Sequence, residues 1–371
     1  MKSLGIIGEY NPFHQGHKYL LEKTMKQTGA EVCVSVMSGN FTQRGTPAVA
    51  DKWERARSAV DNGINLVVEL PTVYACNSAE YFAKGGVEVL EGFGKIDYMA
   101  FGSENGDINK LKAAADFLTD NEEALNVKIQ ELGKKGISYP KARQLAAMEL
   151  APDFDEMIIK EPNNILAIEY LKQIKSMEPV TIKRRGYGYH QSATMVREQM
   201  MEDDPDTFEK MNRSYFELVG AKILQTDTGI LEGIFSSGEG LGNKLKNEIR
   251  YVSTTQQLIE RIKSKAYTHT RISRLLTHVL LGIDEETVKN AKNYIRILAL
   301  DEVGAKFIKE VKKNENAKLP IITNINKELK SYPDLAATLE KDILASDMYN
   351  IICQKDLYDY SDYIRQPYIK I

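Results

Sequence analysis

The stretch Leu4-Gly5-Ile6-Ile7-Gly8-Glu9-Tyr10-Asn11-Pro12-Phe13-His14-Gln15-Gly16-His17 decides how the chain is read. An apolar run of strand character ends at Gly8 and passes through Asn-Pro-Phe into a His-x-Gly-His set. A helix is expected over residues 16–26. At a spacing of three, both imidazoles project from its first turn, beside its free N–H groups and positive dipole end. Such a turn suits a polyphosphate. Backbone N–H groups donate to its oxygens, Gly16 permits close approach, and the rings stabilise developing negative charge. Only five histidines occur in 371 residues, and two of them stand here.

Working outward, β-branched apolar runs at residues 4–8, 31–37, 65–70 and 97–101 read as buried strands. Helical patterns at residues 16–26, 51–62 and 79–92 separate them. This alternation predicts an α/β fold: a doubly wound, Rossmann-like parallel sheet with right-handed crossovers. Ligands of such sheets bind beyond the carboxyl ends of the strands. Residues 9–17, 38–44, 102–104 and those from Pro71 on all fall there. Further along, residues 108–150 read as helical, and Ile165, Ile168, Leu171 and Ile174 mark one buried helix face. A strand is expected over 180–185 and a helix over 192–201, capped by Ser192. Beyond about residue 202 helical periodicity dominates. The expected division is a nucleotide-binding α/β domain, 1–201, and an all-α domain, 202–371.

Composition narrows the class. A chain of 371 residues exceeds one ordinary core. No apolar stretch approaches the roughly 18 residues that span a bilayer, so no membrane segment is expected. The opening Met-Lys-Ser-Leu-Gly leads straight into the first strand, so no export signal is expected either. Cys33, Cys76 and Cys353 are far apart and odd in number, which suits reduced thiols and a cytoplasmic setting. A net charge of −3 leaves nucleic-acid binding to a local patch.

A second constellation is Ser192-Ala193-Thr194-Met195-Val196-Arg197. The Ser192 and Thr194 hydroxyls at a helix start, with the forked cation of Arg197 one turn on, suit a phosphate. Coupled to His-x-Gly-His far upstream, this is the layout of HIGH-motif nucleotidyltransferases. Gly8–His17 together with Ser38-Gly39-Asn40-Phe41-Thr42-Gln43-Arg44-Gly45, Phe101-Gly102-Ser103-Glu104 and Asn163-Asn164-Ile165-Leu166 resembles the bacterial tRNA(Met) cytidine acetate ligase family. The likeness extends into the helical half. It implies use of ATP and acetate to form acetyl-adenylate, then acetylation of N4 of the wobble cytidine of elongator tRNA(Met). It also implies a nucleotide cradle of Ile7, Gly8, Glu9, Tyr10, Asn11, Pro12, Phe13, His14, Gln15, Gly16, His17, Lys18, Tyr19 and Leu20. Gly102, Asn163, Arg184 and Arg185 would add contacts to ATP.

The chemistry of the residues agrees. Acetate is ionised at neutral pH, so its attack on a phosphate needs alignment and charge neutralisation rather than a general base. His14, His17 and Arg197 are the expected catalytic groups. Mg²⁺ is expected to ride on the ATP phosphates, with no metal site of its own. For the RNA, Phe41 offers a stacking face and Arg44 a cation, against the alternative that Phe41 is merely packed. Trp53 reads as core. From Lys244 to Arg274, the basic residues Lys244, Lys246, Arg250, Arg261, Lys263, Lys265, Arg271 and Arg274 face only Glu248 and Glu260. That excess, with Tyr251, Tyr267 and His269 interleaved, suits an RNA backbone, whereas His269 and His278 have no ligand spacing. The rival readings are a coenzyme adenylyltransferase of nicotinate or pantetheine type, and an RNA-binding module without turnover.

Overall fold

A computed structural model describes residues 1–151, 155–184, 193–265 and 267–371. Five strands form a parallel core: β1 (Ser3–Gly8), β2 (Val32–Ser38), β3 (Leu66–Leu70), β4 (Tyr98–Ser103) and β5 (Glu178–Lys183). β2 and β3 are buried along their whole length, as continuous Val, Ile and Leu runs covered on both faces should be. The sheet order is β5-β4-β1-β2-β3, continued by β6 (Ile295–Leu300) and β7 (Ile321–Ile322), with β8 (Tyr368–Ile369) also pairing β6. Connections run outward in both directions from β1, so the strand order reverses beside β1, where crevices form in open α/β sheets.

The second half is dominated by helices, but it is not the strand-free domain expected. β6 lies antiparallel against β3, placing Arg296 opposite Glu69 and Leu300 opposite Leu66. It covers an edge of the sheet that would otherwise expose unpaired amide and carbonyl groups. The short runs β7 and β8 then pair with β6.

Helix α1 (Gln15–Thr28) follows β1, and α2 (Lys52–Asp61) follows the loop after β2. On one face of the sheet, Leu4, Ile6, Cys33 and Met37 pack with Leu21 of α1 and Ala56 and Val60 of α2. On the other, Val34, Val36 and Val68 pack with Ala83, Val87 and Leu90 of the Ala79–Gly92 helix. A third core, built by Tyr215, Val219, Leu275, Leu276 and Tyr349 in the helical half, takes in Phe41, Ala48, Val73 and Cys76 from loops at the carboxyl ends of β2 and β3.

Phe41 is therefore corrected. It is fully buried, its ring 6.5 Å from that of Tyr215, and it offers no stacking face. The loop after β2 turns back on itself through Thr42 and Gly45 and tucks Phe41 under the helices. Trp53 is half-buried, its indole N–H donating to Asp362 at 3.2 Å. Cys33 and Cys76 are buried and all three thiols are free; burial pushes the Cys76 thiol up to about 12. No helix among the described residues is long and apolar enough to cross a membrane.

Candidate active site

The chain leaves β1 through Tyr10, whose φ of 45° is left-handed, and a cis Asn11–Pro12 bond. Tyr10 turns into the core and shares a hydrogen bond of 2.8 Å with Ser35. Asn11 is also buried, its amide oxygen accepting from the Val49 N–H at 2.8 Å. The side chains of Tyr10 and Asn11 thus shape the turn from within.

His14 is the N-cap of α1, and its partner in the capping box is His17. The His14 Nδ1 accepts from the Gly16 N–H at 3.0 Å, and the His17 Nδ1 accepts from the His14 N–H at 3.3 Å. A box of this kind ordinarily uses Ser or Thr with Glu. Here imidazoles satisfy the helix's own donors, and the rings stack at 3.8 Å. Since each Nδ1 accepts, each ring carries its proton on Nε2, on the side away from those backbone groups. Burial, then His14, then Arg184 hold the His17 pKa well below its usual value. His17 is therefore a neutral donor at pH 7. Gly16 is required by this packing, for a Cβ there would lie 2.8 Å from the His14 ring.

Arg184 belongs to a second group, at the carboxyl ends of β4 and β5. Its guanidinium donates to the Asn163 amide oxygen at 3.3 Å, and its stem lies against Gly102, where a Cβ would come within 3.2 Å. Glu104 accepts from the Asn163 side-chain amide at 2.5 Å and from the Asn164 N–H at 2.8 Å. It thereby caps the Pro162–Gln173 helix. Gly102, Asn163 and Arg184 thus come together, and Arg184 lies near enough to His17 to act on it. Arg185 and Ser192 lie outside the described residues.

Arg197 comes from the Ala193–Asp203 helix. It donates to the Asn11 carbonyl at 2.9 Å and to the Thr194 hydroxyl at 3.2 Å. This ties the second constellation to the first loop. Burial, then the nearby Arg44, lower its pKa, while Glu9 and Glu198 oppose them. Glu9 itself accepts from the Gln43 N–H at 2.6 Å. The cleft thus gathers two imidazole donors and the cations Arg184, Arg197 and exposed Arg44, while Glu9 and Glu104 accept from backbone amides.

One organising residue escaped the sequence reading. Arg55 is buried and donates to the carbonyls of Ala50 at 2.9 Å, Glu9 at 2.5 Å, Ser38 at 3.2 Å, and Gly39. It clamps the carboxyl ends of β1 and β2 together. The signal was present: Lys52, Arg55, Ala56, Ala59 and Val60 form the buried stripe of α2, so two cations stand on a core-facing stripe. Lys52 meets Glu69 at 2.7 Å and Asp362 at 2.6 Å.

The basic stretch of the helical half is divided. Lys246 is half-buried, and Arg250 and Lys265 are exposed. Lys244 donates to the Ile262 carbonyl at 2.9 Å; Arg261 pairs with Glu248 and Lys263 with Glu260. Arg274 sits where this half meets the loop after β2, against Gly45, and Arg271 donates to the Ser236 and Ser237 carbonyls. His278 is buried between the carbonyls of Phe235 and Cys76, and His269 meets Gln256.

Paired imidazoles at the head of the first helix, on a doubly wound sheet and facing cations from later strand ends, define a HIGH-class nucleotidyl transferase. A family model described as "HIGH Nucleotidyl Transferase" matches residues 1–362. The tRNA(Met) cytidine acetate ligase of Caldanaerobacter subterraneus subsp. tengcongensis is 39% identical, with both chains covered in full. That of Thermoanaerobacter sp. strain X514 is 37% identical over the same extent. The crystal structure of Thermotoga maritima TmcAL bound with alpha-thio ATP is 29% identical, with a TM-score of 0.89 over 100% of this chain and 99% of that one. The chain belongs to the tRNA(Met) cytidine acetate ligase family.

Proposed function

We propose that the protein is an ATP-dependent ligase that activates acetate as acetyl-adenylate and transfers the acetyl group to N4 of the wobble cytidine of elongator tRNA(Met), in the cytoplasm. The observation that carries this reading is the two-histidine capping box, which fixes a neutral Nε2–H donor on each ring beside Arg184 and Arg197.

In this reading the ATP phosphates lie over the head of α1, within the cradle of residues 7–20 and against Gly102, Asn163 and Arg184, with Arg185, Ser192 and Thr194 completing it. His14 and His17 donate to the α-phosphate as charge builds in the transition state, and Arg197 neutralises the departing pyrophosphate. A ring held neutral, as His17 is, still donates through its N–H to the developing charge. Among the described residues no group of three or more His, Cys, Asp or Glu is placed to hold a metal ion. The donors facing the cleft fit anions, so Mg²⁺ would arrive on the phosphates and add to charge neutralisation there.

Transfer then requires the cytidine to be splayed from its loop and its amine presented to the mixed anhydride. Residues 202–371 supply the RNA contacts: among the described residues Lys244, Lys246, Arg250, Lys265, Arg271 and Arg274 pair with no carboxylate, and Lys263, paired with Glu260, lies beside them. Arg44 extends the positive surface to the cleft.

The test is incubation with labelled acetate, ATP, Mg²⁺ and total tRNA, followed by digestion to nucleosides. Labelled N4-acetylcytidine is expected. Pyrophosphate release with nicotinate mononucleotide or phosphopantetheine, and no labelled nucleoside, would replace this reading with the coenzyme one.

A further inference from the structure

Arg271, Arg274 and His278 share one face of the His269–Leu281 helix. Arg271 donates from Nε to the Ser236 carbonyl at 3.2 Å and from Nη2 to the Ser237 carbonyl at 3.3 Å, stacks 4.6 Å over Tyr267, and keeps Nη1 without a partner among the described residues. His278 lies between two carbonyls, as described. Arg274 differs. Its Nε is closed off from solvent with no acceptor, and among the described residues its guanidinium has no hydrogen-bond or ion-pair partner. Burial, and then Arg271, lower its pKa. The Ser237 hydroxyl, in the loop that receives Arg271, is likewise buried without a partner. Arg274 as a whole is half-buried, and a partly desolvated guanidinium with no anion beside it is costly. The same group becomes favourable once an anion with several acceptor oxygens reaches it.

The place of this group matters as much as its chemistry. Gly45, with φ 74°, lies directly on the helix: a Cβ there would fall 2.4 Å from the Arg274 N and Cα. Its carbonyl accepts from Ser273 at 2.9 Å and Thr277 at 3.1 Å. The adjoining Arg44 is exposed, with no hydrogen bond or ion pair among the described residues, and is near enough to act on Arg197. Cations thus run from the helical half, across the seam, to the cleft.

We propose that Arg274, Arg271 and Ser237 form a phosphate-binding site at this seam, and that Arg44 continues it toward Arg197 as a track for one strand of RNA backbone. The inference rests on the reading that the chain acts on tRNA, and adds the route by which the backbone crosses between the two halves. A row of cations leading to the cleft favours a phosphodiester chain over a lone phosphate ion.

Binding of an unmodified tRNA(Met) transcript to the full chain, measured across a salt series, tests it. Arg274→Met should weaken binding roughly tenfold or more and flatten the logarithmic salt slope by about one. Arg274→Lys should restore the slope but only part of the affinity. Ser237→Ala should weaken binding without changing the slope, and thermal melting reports whether each variant folds. Should Arg274→Met not fold, Ser237→Ala and Arg44→Ala carry the test. Wild-type affinity and slope in the folded variants would overturn the proposal. Stabilisation of wild type but not Arg274→Met by inorganic phosphate, with tRNA binding unchanged, would overturn the RNA assignment in favour of a free anion. Variants that behave as expected, in a protein that makes no N4-acetylcytidine, would sink the ligase reading and leave this site standing.

Discussion

The cleft at the head of α1 and the basic stretch of the helical half both present nitrogen donors to solvent, yet they are built in opposite ways. In the cleft the donors other than exposed Arg44 are fixed by main chain or by another side chain. His14 and His17 cap a helix, Arg184 rests on Asn163, and Arg197 holds the Asn11 carbonyl. In the helical half Arg250 and Lys265 stand exposed, and Arg261 and Lys263 are tied to acids. The contrast is between pre-organised electrostatics, which transition-state stabilisation needs, and exposed surface charge, which suffices to neutralise a polyanion.

Phe41→Ala probes this division most strongly. Its ring belongs to the core joining the two halves, so truncation should cost roughly 3–5 kcal/mol, read from denaturant unfolding. A variant of unchanged stability with weakened tRNA binding would return Phe41 to the RNA surface. Next comes His17→Ala. Removing one fixed donor should slow acetate-dependent exchange of pyrophosphate into ATP by roughly 10²–10³-fold, with tRNA affinity nearly unchanged. A parallel loss of tRNA binding would erase the distinction between the two regions.

The pH dependence of stability sharpens it further. Above the usual histidine pKa neither the folded nor the unfolded chain protonates His17, so it contributes no slope there. Below it the unfolded chain takes up a proton that the folded chain, with its pKa held well below, refuses. Stability should therefore fall with falling pH by up to about 1.4 kcal/mol per unit from this residue. His17→Asn, which keeps an acceptor for the cap, should flatten the difference between urea midpoints near neutrality and at mildly acid pH. Retention of the wild-type slope would mean that the folded site accepts the proton. The smallest effect belongs to the exposed charge: Arg250→Ala should reduce the salt slope of tRNA binding by about one and leave pyrophosphate exchange alone. An effect on exchange would show that the patch reaches the chemistry.

What the sequence made legible follows from range. β1 to β4 declare themselves because buried parallel strands are continuous apolar runs, and His14 and His17 because two scarce residues stand together at a strand–helix turn. β6 was hidden: Ile295–Leu300 carries Arg296 at its second position, and its neighbour β3 lies far back in the chain. β7 and β8 are two residues each, too short for any period to register. Phe41 was ambiguous because its burial depends on helices contributed by the other half. Arg55 was readable in principle, from a cation on a core-facing stripe, and its role as a clamp emerges only with the carbonyls it collects.

The placement of β6 has a consequence in time as well as in space. As the chain leaves the ribosome, β3 must wait beside β2 with its outer edge unpaired until residues 295–300 emerge. Its sequence, Leu66-Val67-Val68-Glu69-Leu70, is an adhesive edge in the interval. Nascent chains halted before residue 295 should therefore self-associate where the full chain does not, which sedimentation of such fragments would reveal. The enzyme's most exposed moment then falls during its synthesis.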